Sequence, residues 1–291
     1  MDKWSLTAEQ AKQYENDGYF TVRNVIPPET AAELRGVIKN TILMPEPDVL
    51  ADADPMDPMG DSARARESRF RKLSNYCYRA PLIWLNVHGG PAIARIARYF
   101  LGDDLVLKFN SCFLKPARTG SATPWHQDNG LWRDDDTEAF NFWMALDPAT
   151  RSNGCMQMMP GSHKGEIVPH VLYPDSIHGE LPRDLTSGIQ DQVHHVEIEP
   201  GDIVCWHSSM WHYSPPNPSE RGRIAIAGVY SSPSLIASYP KWSARNCLWV
   251  MKSGELCAQF PPEPYPLREE ELHRPTPWPK VEDRLEEQAA D

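Results

Sequence analysis

The chain has 291 residues and a net charge of −11. That balance argues against nucleic acid or an anionic membrane as partner, since both are gripped by clustered Lys and Arg. Apolar residues make up 41%, enough for a sizeable core, and the 28 prolines, about twice average usage, disfavour a fold of long helices. No stretch reaches the ~18 apolar residues of a membrane span, and none of the 6 cysteines form a CxxC pair. With no signal-peptide pattern at the start, the expectation is a reduced, cytoplasmic protein acting on a small molecule, as a monomer or homodimer.

Residues 5–14 read as a helix: Thr7 can cap it, and Gln10 follows at capping-box spacing. Asp17-Gly18 then turns into a first strand over 19–22. Pro27-Pro28-Glu29 opens a second helix through about residue 39, with proline where a missing N–H costs nothing. Residues 45–61, dense in Pro, Asp and Met, read as a loop or lid, with a basic stretch at 64–72 after it. Residues 91–101 read as an amphipathic helix with Ile93, Ile96, Ala97 and Phe100 on one face, ended by Gly102.

Beyond Gly102 the texture changes to short strands, at 105–114, 140–146, 155–159, 193–198, 203–206 and 223–230, bounded by Pro and Gly turns. That spacing indicates a sandwich or barrel. The tail after 260 is rich in Pro and charge, and 281–291 reads as a frayed acidic helix or a disordered segment. There is no internal repeat. One domain is expected over 1–291: a helical part to about 102, a β core to about 232 and a C-terminal extension.

Trp125-His126-Gln127-Asp128 carries the chemistry. A histidine and an aspartate two apart point to the same side of an extended backbone. With a second, distant histidine they make a two-His, one-carboxylate set, which leaves one face of Fe(II) open. His212 is the expected third ligand. His178-Gly179-Glu180 and His195-Val196-Glu197 are rival pairs, and His207 is a weaker candidate. After His212 comes the turn Tyr213-Ser214-Pro215-Pro216-Asn217-Pro218, and Arg223 opens the returning strand. An Arg on a strand neighbouring His212 can fork a dicarboxylate whose other end chelates the metal. His163 and His170 read as loop or surface residues. Trp125, Trp132, Phe140, Trp143, Trp206 and Trp211 crowd these motifs, as core or as pocket wall.

Three segments resemble the phytanoyl-CoA dioxygenase family: Trp125-His126-Gln127-Asp128, Asn153-Gly154-Cys155 through Gly161-Ser162-His163-Lys164, and Pro200-Gly201-Asp202. The run from His212 to Arg223 resembles it too, with Ser214, Asn217 and Ser219 in the family's pattern, and so does Asp17-Gly18-Tyr19. The resemblance implies a mainly β fold, a double-stranded β-helix (jelly roll, cupin-like) with flanking helices. It also implies a non-haem Fe(II)- and 2-oxoglutarate-dependent oxygenase that uses O2. His126, Asp128 and His212 would be the metal ligands. Arg223 would anchor the far carboxylate of 2-oxoglutarate, with Ser214 as helper and Trp143 along the pocket. Lys72, with Arg71 as a rival, would be a second basic contact. Related halogenases have a small residue at the carboxylate position, so Asp128 favours hydroxylation or desaturation. A cupin-like enzyme without 2-oxoglutarate and a non-catalytic binding protein on the same fold are the alternatives.

Overall fold

The computed structural model describes residues 4–43, 51–53, 68, 70–132, 139–236 and 247–266. Apart from 51–53, the expected lid at 45–61 lies outside the described residues, as does the tail segment 281–291. Helix α1 (Ala8–Asp17) starts where its cap dictates. The Thr7 hydroxyl accepts the Gln10 N–H, the Gln10 side chain accepts the Thr7 N–H, and Gly18 at φ 86° ends the helix. Strand β1 (Tyr19–Val22) and helix α2 (Pro28–Leu43) follow, the helix running about one turn longer than expected. Strand β2 (Ala51–Ala53) falls inside the expected loop and pairs with β3 (Phe70–Ser74), a strand that the basic stretch concealed. A π-helical turn at Trp84–His88 leads to α3 (Pro91–Leu101), which buries Ile93, Ala94, Ile96 and Ala97.

The strands then run β4 (Leu105–Lys115), β5 (Thr123–His126), β6 (Phe140–Ala145), β7 (Met156–Met158), β8 (His194–Val196), β9 (Ile203–Trp206), β10 (His212–Ser214), β11 (Arg223–Ser231), β12 (Leu248–Lys252) and β13 (Glu255–Leu256). A short helix, α4 (Asp128–Trp132), follows β5. Among the described residues they form two antiparallel sheets. The larger has the order β1-β9-β6-β11-β4-β12-β13, with β3 also paired to β4; the smaller is β5-β10-β7-β8. This is the expected double-stranded β-helix. It recruits β1 from the N-terminal part and β12 from the C-terminal extension into the larger sheet.

The central strands are buried on both faces, and their alternation sorts bulk. On β6 and β11, Phe142, Met144, Ile224, Ile226 and Tyr230 pack against the helices. Trp143, Ala145, Ala225 and Ala227 face the smaller sheet, with Met156 and Met158 opposite. Small residues on the inner face of β11 leave space between the sheets, which becomes a cavity of about 330 Å³. No helix among the described residues is long and apolar enough to cross a membrane.

Met144 is fully buried on the helix side. Met144→Ala should therefore cost about 2–5 kcal/mol of stability, read as a lower urea midpoint, with no loss of metal affinity. A loss of affinity comparable to that of a ligand substitution would contradict this sorting of faces.

Candidate metal centre

His126 closes β5 and His212 opens β10. The strands are antiparallel neighbours with these two residues in register, and the ring centroids lie 4.0 Å apart. Two imidazoles from distant parts of the chain thus share one face of the smaller sheet. Asp128 reaches them differently from the sequence expectation. The extended backbone ends at His126, and Asp128 begins α4. The turn, not strand alternation, brings its carboxylate round, and Asp128 Oδ1 lies 3.8 Å from Nε2 of each histidine.

The donor set fits a metal ion. The ligand atoms of His126, Asp128 and His212 all lie within 4.8 Å of one another. Bonds of about 2.1 Å from one ion can bridge donors separated by up to about 4.2 Å, so each 3.8 Å His–Asp separation is within reach. The Nδ1 of His126 is 2.7 Å from the Pro124 carbonyl, and that of His212 is 2.9 Å from the Met210 carbonyl. A carbonyl only accepts, so both Nδ1 atoms carry the proton and both Nε2 lone pairs face the ion position. Burial, helped by His212 and His178, holds His126 well below the usual imidazole range, which keeps it a neutral ligand. Asp128 Oδ2 accepts from Trp206 Nε1 at 2.8 Å. Burial raises the Asp128 carboxyl above its ordinary range, partly offset by His212, Trp206 and Lys108.

Gln127, between two of these residues, ties the site together, and nothing in its type announced this. Its Oε1 accepts from Val168 N at 2.8 Å, and its Nε2 donates to Glu166 O at 3.2 Å and Ser209 O at 2.9 Å. Its backbone N–H donates to Nε2 of His170 at 3.0 Å. His170, expected as a loop or surface residue, does stand in a loop but is buried, with Nδ1 bonded to Val168 O, and burial lowers its pKa to about 4. Gly130 is required beside it, because a Cβ there would sit 2.1 Å from the His170 ring. Asn129 completes the brace through Ser208 O and Ser209 Oγ.

The rival pairs separate. Glu180 is buried in bonds to Arg183 and Ser176, away from the ligand set. His178 lines the cavity with its ring 5.0 Å from that of His126. Glu197 is engaged by the Arg151 N–H. His207 accepts from Ser209 N and packs on Tyr14 and His163.

Arg223 opens β11, so it lies on the facing sheet and not on a strand next to His212, as was expected. It meets β10 across the gap: Nη2 donates to Ser214 Oγ at 3.1 Å, and Ser214 Oγ donates to Gly154 O at 2.9 Å. The guanidinium lies 4.8 Å from the Trp143 ring, and among the described residues Nε has no hydrogen-bond partner. Burial lowers its pKa to about 10. Lys115 Nζ donates to Ser121 O, Ser214 O and Pro215 O, locking the end of β10. Lys72 and Arg71 both line the cavity, with Lys72 Nζ 5.3 Å from the Phe109 ring. The cavity thus joins the His–Asp–His set to a buried cation with an open donor.

A family model described as Phytanoyl-CoA dioxygenase (PhyH) matches residues 14–225. A probable phytanoyl-CoA dioxygenase of Caenorhabditis elegans is 29% identical over 79% of this chain and 77% of its own. The L-proline trans-4-hydroxylase of Streptomyces griseoviridis is 25% identical over 78% and 87%. Among solved structures, EctD from S. alaskensis with 2-oxoglutarate and 5-hydroxyectoine superposes with a TM-score of 0.63 at 20% identity, covering 96% of this chain and 89% of that one.

The sign of the Asp128 shift gives a test. Its folded-state pKa is raised, so it favours the fold only below the unfolded pKa, and that contribution is lost as pH rises through the folded value. At pH 7 the metal-free protein therefore bears the cost of a buried carboxylate. Asp128→Asn should melt at or above the wild-type temperature without metal, by about 1–3 °C, yet lose the gain that Fe(II) gives the wild type. His212→Ala should lose that gain too, whereas His207→Ala should keep it. Thermal melts with and without anaerobic Fe(II) decide. A retained gain in Asp128→Asn would rule out the ligand assignment.

Proposed function

Because the chain belongs to the phytanoyl-CoA dioxygenase family, we propose that it hydroxylates, or desaturates, an unactivated C–H of a small organic metabolite. It is an Fe(II)- and 2-oxoglutarate-dependent dioxygenase, consuming O2 and giving succinate and CO2. The observation that supports the reading most is the shared cavity, with the His–Asp–His set on one wall and Arg223 on another. The small-metabolite reading also draws on cavity size, about 330 Å³, near the lower end for ligand pockets. Relatives named for proline and ectoine lie in the same direction.

Bound iron and 2-oxoglutarate supply the oxidising chemistry. The protein's share is geometry. Two backbone carbonyls engage Nδ1 of His126 and of His212, so in each neutral ring the Nε2 lone pair is the one turned to the ion position. Trp206 fixes the second oxygen of Asp128, leaving the first for the ion. Arg223 takes the far carboxylate of the co-substrate, aimed by Ser214 on one side and Trp143 on the other. Phe109, Trp132, Trp143 and Trp206 exclude water around the substrate. Lys72 or Arg71 contributes a second basic contact at the cavity edge.

A charge-assisted pair in such a site is worth roughly 2–5 kcal/mol when one partner is truncated. Arg223→Ala should keep Fe(II) but weaken 2-oxoglutarate by at least about thirtyfold, at 1.4 kcal/mol per decade. Arg223→Lys should recover only part, because an ammonium keeps the charge and loses the fork. The measurement is an anaerobic titration of 2-oxoglutarate followed by its metal-to-ligand absorption. An unchanged midpoint in Arg223→Ala removes Arg223 from the co-substrate site. No absorption change in the wild type would turn the reading towards a metal enzyme that does not use 2-oxoglutarate.

A further inference from the structure

The cavity holds one group that neither the metal nor the co-substrate uses. His178 stands in the 165–192 connection and lines the cavity beside the metal residues, its ring edge-to-face with that of His126. Its direction is set locally. Nδ1 lies 2.7 Å from the Gly179 carbonyl, so Nδ1 carries the proton and donates it. The Nε2 of a neutral ring is then a pure acceptor. Among the described residues no second hydrogen bond engages the His178 ring, and the cavity it lines is walled by Ile177, Leu131, Trp132 and Phe109, with Arg71 and Lys72 as the cations that act on the ring. The rival carboxylate two residues on, Glu180, is used up by Arg183 and Ser176 and does not reach the ring. A directed acceptor in a mainly aromatic and aliphatic cavity, next to the metal residues, is an arrangement that discriminates for a hydrogen-bond donor.

We propose that His178 is a specificity residue that accepts a hydrogen bond from a hydroxyl or N–H of the substrate, placing a neighbouring C–H at the metal. The substrate class is then an apolar body, flat or cyclic enough for the aromatic walls, that carries a donor close to the oxidised carbon. This rests on the reading that the substrate occupies the same cavity as the co-substrate. Methylating the donor removes the proton that His178 accepts, so such analogues are rejected. The contact leaves the metal ligands and the Arg223 end of the cavity untouched.

The test uses two matched probes, benzyl alcohol and benzyl methyl ether, titrated calorimetrically into the full chain loaded anaerobically with Fe(II) and 2-oxoglutarate. The wild type is expected to prefer the alcohol by about tenfold, the size of one net neutral hydrogen bond. His178→Phe keeps a ring against His126 but no acceptor, and should bind the pair within about twofold of each other. His178→Gln restores a carbonyl acceptor and should recover part of the preference. Equal binding of the two probes by the wild type would overturn the proposal. So would an undiminished preference in His178→Phe, or no binding of either probe up to about 10 mM, a weak but reachable level for fragments. The 2-oxoglutarate absorption separates the two readings. It should be the same in wild type and His178→Phe, and its loss in His178→Phe alone would make His178 part of the co-substrate machinery and overturn the proposal. Its absence from the wild type counts against the co-substrate reading, and the probe comparison, repeated on the metal-free chain, still decides His178.

Discussion

The register of β10 against β5 is the constraint on which the site depends. It sets His212 opposite His126, so that two imidazoles distant in sequence meet with ring centroids 4.0 Å apart. A slip of one residue would turn one of them to the other face of the sheet. Several devices hold the register. Lys115 clamps the end of β10 through Ser214 and Pro215, while Gln127 bridges Glu166 and Val168 on one side to Ser209 on the other. Ser209 lies three residues before His212 and Gln127 directly follows His126, so the segments beside the two histidines are tied through one amide. The carboxylate completes the set only because the chain leaves the strand at once and starts α4.

The second theme is buried charge. Asp128 and Arg223 are both held where burial opposes ionisation, and Arg223 keeps an unpartnered Nε. Each is costly alone. Each becomes favourable when an ion of opposite sign arrives, a metal cation for one and a carboxylate for the other. Stability given up in the empty protein is returned as affinity, the usual relation between strained polar sites and ligands. The chain as a whole is acidic, at −11. Yet Arg71, Lys72, Lys115 and Arg223 line the cavity, so the local sign around a dianionic co-substrate is opposite to the global one.

The space for these ligands comes from the sorting of bulk on β6 and β11. Large side chains fill the helix-side core and alanines face inward. Fully buried strands show no polar alternation, so the hydrophobic pattern alone does not reveal which face is which. Only the opposing sheet assigns Trp143 and Ala227 to the cavity and Met144 to the core.

The amino-acid sequence by itself determined the elements whose signals are local. Thr7 and Gln10 make their capping box, α3 spans the predicted residues, and the long strands begin within a residue or two of their turn signals. It also showed the residue types of the candidate site, because His, Asp, His and Arg at these positions are legible as residue types and as a family pattern. Tertiary structure alone decided the rest. It placed Arg223 on the facing sheet, Asp128 on a helix start, and His170 and His178 inside the protein. It also made three-residue strands of β2 and β10, and it cut the strands expected at 155–159 and 193–198 back to three residues each in β7 and β8. Strands as short as β2 and β10 carry little propensity of their own to read; they exist because a neighbouring strand supplies their hydrogen bonds. A glutamine between two ligands looks like any other until the loops it joins are seen, since a hydrogen-bond network is a property of where backbone carbonyls converge and not of the residue that reaches them.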